Sequence, residues 1–92
     1  HAVLEAFRAR GAASVAIAEG PGHRRITRDL ADAAGYASVI PAFHALFTDL
    51  NTDDVRQVPI PNPVSPLRSL YLPQTALDCD LLVSLPKMKT HH

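Results

Sequence analysis

The chain has 92 residues, of which 47% are hydrophobic and 20% are charged, as is typical of a water-soluble globular chain and not of a disordered one. Nine basic and nine acidic residues cancel, which argues against a partner such as nucleic acid or a membrane surface that is bound through net charge. No apolar run approaches the ~18 residues of a transmembrane helix.

We therefore expect one domain or part of one, with no nucleic acid and no membrane as partner. The location stays unknown because the N-terminus of the protein is not visible in a sequence that begins at His1, and a cytoplasmic location is only the default. The single cysteine, Cys79, excludes an internal disulfide. One thiol also cannot hold an iron–sulfur cluster by itself.

The first third of the chain has the pattern of half a parallel α/β unit. Residues 1–10 predict an amphipathic helix with Gly11 at its C-cap. Residues 14–18 form an apolar run of strand length, which leads into the Gly/Pro loop 19–23. Helix, short link, buried strand and loop in this order favour a mainly parallel sheet.

Two helices and a strand are predicted next. Thr27 is a candidate N-cap for a helix over 28–34. A second helix is expected over 37–46, with Pro41 either inside its first turn or at its true start. Phe47–Leu50 then predicts a short strand, after which residues 51–54 turn the chain.

The remaining segment contains five of the eight prolines, which lie between residues 59 and 73 and predict an extended connector. Residues 55–60 before it predict a strand near a sheet edge, and a brief strand is expected at 68–72. One or two helical turns follow at 74–78. The last, mostly apolar run, 80–85, predicts a central strand.

These elements together predict an α/β fold in which a mainly parallel sheet is flanked by helices. Ligands of such sheets collect beyond the carboxyl ends of the strands. Glu19 and His23, which flank the Gly-Pro-Gly turn, should lie on that side. We interpret them as candidates for acid–base catalysis, and the alternative is a loop whose glycines only allow the turn.

A second group of candidate residues follows the last predicted strand. Lys87, Lys89 and His91 alternate, so in an extended chain they share one side. The ammonium groups of Lys87 and Lys89 could hold a small anionic ligand, and Thr90 is a further candidate for binding it. His91 could act as an acid, a base or a metal ligand. The alternative is a solvated basic strand end.

Asp49 and Asn51 supply oxygen atoms just beyond another predicted strand. They could bind a ligand or a hydrated divalent cation. Asp and Asn in this position are also ordinary turn formers, which is the competing interpretation.

Several phrases of the sequence resemble one family, the domain of unknown function 362, and the similarity covers essentially the whole chain. The most specific matching segment begins at Asp78-Cys79-Asp80, continues through Leu85-Pro86-Lys87 and ends at Thr90-His91. Three shorter segments match less specifically, namely Ala18-Glu19-Gly20-Pro21-Gly22-His23, Ala34-Gly35-Tyr36 and Thr48-Asp49-Leu50-Asn51. The resemblance implies a larger α/β domain. Residues 1–92 are therefore expected to be a single partial domain, an incomplete three-layer fold whose missing remainder would be its partner. Many members carry ferredoxin-like cysteine clusters, which implies an iron–sulfur cluster only outside this fragment.

A more distant similarity is to the catalytic domain of nickel-pincer lactate racemases, in which His91 would match a histidine at a strand end. The leading hypothesis is an enzyme-type site for a small anionic ligand, a metal ion or both. Its catalytic candidates are His91, Glu19 and His23, and His91 is also the candidate metal ligand. The alternative is a redox-associated, cofactor-binding accessory protein, and a third hypothesis is that the fragment alone is inactive.

Overall fold

The computed structural model describes residues 1–22, 25–62 and 64–86. Contacts between residues divide the chain into two compact units, His1–Asp54 and Val55–His92. The first unit contains a parallel pair of strands and most of the helices. The second contains an antiparallel hairpin followed by one short helix.

The first helix, α1 (Ala2–Ala9), ends in a Schellman motif, as the glycine after it predicted. The Gly11 N–H donates to the Arg8 carbonyl at 3.0 Å, and the Ala12 N–H donates to the Phe7 carbonyl at 3.2 Å. This geometry places Gly11 in the left-handed region, with φ of +85°. The helix buries Leu4, which is 5% exposed.

Replacing Gly11 with alanine is expected to lower the free energy of unfolding by about 1–2 kcal/mol, because an L side chain at this φ crowds its own backbone. The space around Gly11 is open, since an added Cβ would meet nothing within 4 Å. Gly22 is the matched control, because it is equally open and has no positive φ. Urea unfolding should show no loss for Gly22→Ala, and equal losses in the two variants would contradict the prediction.

The two strands of the first unit, β1 (Ile17–Glu19) and β2 (Phe47–Asp49), pair in parallel. Their register joins Ile17 to Phe47 and Glu19 to Asp49. The prediction of β2 is confirmed, whereas β1 begins three residues later than the apolar run 14–18. Pairing with β2 explains the shift, since a partner of only three residues can hold only three residues of β1 in the ladder.

The connection between these strands contains three short helices, α2 (Thr27–Ala33), α3 (Tyr36–Val39) and α4 (Phe43–Leu46). Thr27 is the first residue of α2 and not its N-cap, which is Ile26. The prediction of a Thr27 cap is therefore wrong. Its hydroxyl is buried, and within the described residues it has no hydrogen-bond partner.

The single helix predicted over 37–46 is also wrong, because the chain breaks between α3 and α4. Ile40 is extended, with φ of −115° and ψ of 108°, as the residue before a proline tends to be. Ala42 then takes a left-handed conformation with φ of 56°. Two single-turn helices form where periodicity alone indicated one.

An aromatic cluster packs these helices against the parallel pair. Phe43 is 2% exposed and its ring lies 5.8 Å from that of Tyr36, 5.5 Å from that of His44 and 5.1 Å from that of Phe47. Because Phe47 is the first residue of β2, burial of Phe43 helps to fix the strand that carries Asp49. The core also contains Ala31 of α2, which is 5% exposed.

The second unit is built on a hairpin of β3 (Val55–Pro59) and β4 (Ser69–Pro73). The ladder continues one step further, since the Ile60 N–H donates to the Arg68 carbonyl at 2.9 Å. Helix α5 (Gln74–Asp78) follows β4 directly. The predictions of a strand at 55–60 and of helical turns at 74–78 are confirmed, and the proline-rich stretch supplies the hairpin loop and β4.

The central strand predicted at 80–85 is wrong for the described chain. Residues 81–86 have no regular secondary structure, and Leu81, Leu82, Val83 and Leu85 are between 44% and 71% exposed. A strand needs a neighbouring strand to accept and donate its backbone hydrogen bonds. Apolar composition alone does not supply one.

Within the described residues, the fold thus mixes helices with two two-stranded sheets, one parallel and one antiparallel. This confirms the predicted α/β class in its broad sense. In the same part of the chain, no helix combines the length and the apolar character needed to cross a membrane.

Candidate functional site

The carboxyl ends of β1 and β2 bring two acidic residues together. Glu19 and Asp49 are register partners at the last position of each strand. The ladder continues past them, since the Leu50 N–H donates to the Glu19 carbonyl at 2.9 Å. Neighbouring strands lie about 4.8 Å apart, so both side chains leave the backbone at the same edge of the sheet.

Each carboxylate is oriented by a backbone amide close to it in sequence. The Gly20 N–H donates to Oε1 of Glu19 at 2.9 Å, and the Asn51 N–H donates to Oδ1 of Asp49 at 3.0 Å. Each of these bonds uses one oxygen, and among the described residues the second oxygen of each carboxylate remains available as an acceptor. Glu19 is exposed and Asp49 is half-buried, which leaves the pair accessible from solvent.

Asn51 connects this edge to the Gly-Pro-Gly loop. Its Nδ2 donates to the Pro21 carbonyl at 3.0 Å, across a separation of 30 residues. The loop also lies close to β2 at Gly20, where an added Cβ would be 3.2 Å from Oδ1 of Asn51. The end of β1 and the turn after β2 are therefore in direct contact.

The turn after β2 is held by further bonds to Asp49. The Thr52 N–H donates to the Asp49 carbonyl at 3.1 Å, and the Thr52 hydroxyl donates to the same oxygen at 3.3 Å. Asp49 and Asn51 therefore do form the turn that one interpretation of the sequence expected. Forming a turn does not remove the second Asp49 oxygen from the sheet edge.

Five of the predicted site residues lie outside the described residues, namely His23, Lys87, Lys89, Thr90 and His91. Their roles stay predictions from the sequence. Among the residues that the structure describes, no group of three or more His, Cys, Asp or Glu side chains could hold a metal ion. Glu19 and Asp49 alone would supply two protein ligands, which is the number that a largely hydrated cation such as Mg²⁺ uses.

Sequence reasoning missed the contact between Gly20 and Asn51. The glycine was expected only to permit a turn, yet its φ is not positive. Instead, Asn51 and Leu50 lie where they would crowd a Cβ added at Gly20. No local signal reports this, since Leu50 and Asn51 are 30 and 31 positions away from Gly20 along the chain.

The chain thus combines a mixed α/β architecture with an acidic edge at the ends of two parallel strands. The family model described as Domain of unknown function (DUF362) matches residues 1–92. The chain therefore belongs to this family. Neither a search of curated proteins nor a search of solved structures found a match.

Proposed function

We propose that the carboxyl ends of β1 and β2 form part of an enzyme-type site that binds a metal ion, a small anionic ligand or both. The observation that carries the proposal is the pairing of Glu19 with Asp49 at one edge of a parallel pair. Parallel sheets bind their ligands beyond this edge because the strand ends and the following loops converge there.

The proposal includes a larger fold than the two described sheets. A parallel pair joined through helices is the repeating unit of three-layer α/β domains, and helices α2, α3 and α4 lie in the connection from β1 to β2. On this ground we place the pair in a mainly parallel sheet flanked by helices.

The two carboxylates suit a hard divalent cation, since oxygen ligands favour Mg²⁺, Mn²⁺ and Ca²⁺ over softer metals. They also suit proton transfer, because a carboxylate can accept a proton from a bound group. Lys87, Lys89 and Thr90 remain the sequence-based candidates for holding an anionic group. His23 and His91 remain the candidates for acid–base catalysis, and His91 also for metal binding.

The test is calorimetric titration of the full-length protein with Mn²⁺ and, separately, with inorganic phosphate. We expect Asp49→Asn to weaken Mn²⁺ binding by at least about tenfold, since loss of an outer-shell partner alone costs about 10–100-fold. Asparagine keeps the Oδ1 acceptor of the turn, so the local backbone is retained. Lys87→Gln should weaken the binding of phosphate and leave that of Mn²⁺ unchanged.

Asp54→Asn is the matched control, because it removes one exposed carboxylate from the same turn region without touching the sheet edge. Equal losses of Mn²⁺ affinity in the two variants would show that the affinity depends only on the net charge of the protein and not on the position of the carboxylate. If the wild-type protein binds neither probe, the proposal is wrong. Iron and sulfide in the purified protein, together with no response to either probe, would instead favour a redox-associated accessory protein.

A further inference from the structure

We infer that Asn51 is a positioning residue, a clasp that holds the loop of residues 20–22 against the end of β2, and that it does not contact the ligand. The first support is that both nitrogen atoms of Asn51 that can donate already form hydrogen bonds within the chain. Nδ2 donates to the Pro21 carbonyl at 3.0 Å, and the backbone N–H donates to Oδ1 of Asp49 at 3.0 Å. One residue thus bonds to the loop after β1 and to the last residue of β2.

The second support is the steric fit between Asn51 and Gly20. A Cβ at Gly20 would lie 3.2 Å from Oδ1 of Asn51 and 3.3 Å from the Cβ of Leu50. Gly20 has no positive φ, so its backbone conformation would accept alanine. The constraint on this position therefore comes from the close approach of residues 50 and 51, which an added Cβ would crowd, and not from a positive φ.

These contacts link the clasp to the acidic pair. Glu19 immediately precedes the loop, and its Oε1 is held by the Gly20 N–H at 2.9 Å. Asp49 is held by Asn51 itself. Release of the Asn51 side chain frees the loop that orients Glu19 while the register of β1 and β2 can persist. The consequence for ligand binding rests on the proposed function, whereas the clasp itself does not.

Hydrogen–deuterium exchange of the full-length protein tests the clasp directly. Asn51→Ala should raise exchange in a peptide that covers residues 17–22 roughly fivefold, the equivalent of one net hydrogen bond. Exchange in a peptide from α1 should not change. Asn51→Asp keeps the shape of the side chain but lacks the N–H donor, so it should raise exchange in the loop peptide as alanine does.

A double-mutant cycle tests the steric part. Gly20→Ala should lower Tm in the wild-type background and lower it less in the Asn51→Ala background, since the Oδ1 contact is then absent. The relief should be partial because the contact with Leu50 remains. Equal penalties in the two backgrounds would overturn the interlock.

Mn²⁺ titration of Asn51→Asp separates a clasp from a ligand. A direct metal ligand should bind Mn²⁺ at least as tightly after gaining a carboxylate, whereas a clasp that has lost its donor should bind it more weakly. Tighter binding would therefore overturn the inference. If the wild-type protein does not bind Mn²⁺, the proposed function fails, and the exchange experiment still decides whether Asn51 holds the loop.

Discussion

Replacing Phe43 with alanine is expected to lower the free energy of unfolding by about 3–5 kcal/mol. The side chain is 2% exposed, so truncation removes nearly all of its buried apolar surface and leaves a cavity. Its ring also contacts those of Tyr36 and Phe47, and aromatic pairs add about 0.5–1.5 kcal/mol beyond burial. The loss is a large part of the 5–15 kcal/mol that stabilises a typical domain.

Urea unfolding of the full-length protein would measure this loss. Val39→Ala is the control, because Val39 lies in neighbouring α3 and is 61% exposed. Its free energy of unfolding should change by no more than about 0.5 kcal/mol. A loss below about 1 kcal/mol in Phe43→Ala would show that the aromatic cluster does not form the core of the first unit.

Replacing Thr27 with valine is expected to raise the free energy of unfolding by about 1–3 kcal/mol, the desolvation penalty of an unpaired polar group. Thr27 is 2% exposed, and its Oγ1 has no hydrogen-bond partner among the described residues. Valine has nearly the same shape, so the substitution removes the buried hydroxyl without opening a cavity. It also leaves helix propensity almost unchanged.

Thr27→Ser is the opposite control. It keeps the hydroxyl and removes the buried methyl group, so it should lower the free energy of unfolding by about 1 kcal/mol. Thermal and urea unfolding should therefore order the proteins as valine, wild type and serine, from most to least stable. If valine is the least stable of the three, the hydroxyl is satisfied by a water molecule or by another residue, and the interpretation of Thr27 as unpaired is wrong.

Local signals were sufficient to predict several elements. Gly11 ends α1 because it can adopt a positive φ, and this requirement is visible in one residue. The strand β2 and the helix α5 were also predicted close to their observed bounds. In each case an apolar pattern lies between residues that favour turns, so neighbours in sequence determine the element.

Elements that depend on distant partners could not be predicted in this way. The apolar run 81–85 has the composition of a buried strand, but no described strand pairs with it. The single helix predicted over 37–46, by contrast, failed for a local reason, since Pro41 favours the extended conformation of Ile40 before it. A hydrophobic pattern indicates which residues tend to be buried, but it does not indicate which other residues pack against them.

The candidate site also has one feature that the sequence predicted and one that it did not. The convergence of Glu19 and Asp49 follows from the rule that parallel strands share their carboxyl edge, so the sequence indicated where both would lie. The bond from Asn51 to Pro21 depends on the register of two strands and on a side-chain amide meeting a backbone carbonyl. Neither the strand register nor this side-chain contact can be predicted from the composition of the sequence or from the spacing of its residues.

The two sheets also differ in the length of the loop that each pair of strands must close. The hairpin closes a loop of nine residues, 60–68, whereas the parallel pair closes one of 27 residues, 20–46. The longer closure costs about 1 kcal/mol more in chain entropy. Hairpins form in about 1–10 μs, and non-local strand pairs form later because their entropy cost precedes their contacts. We therefore expect the edge that carries Glu19 and Asp49 to be assembled late in folding, after the hairpin and the local helices.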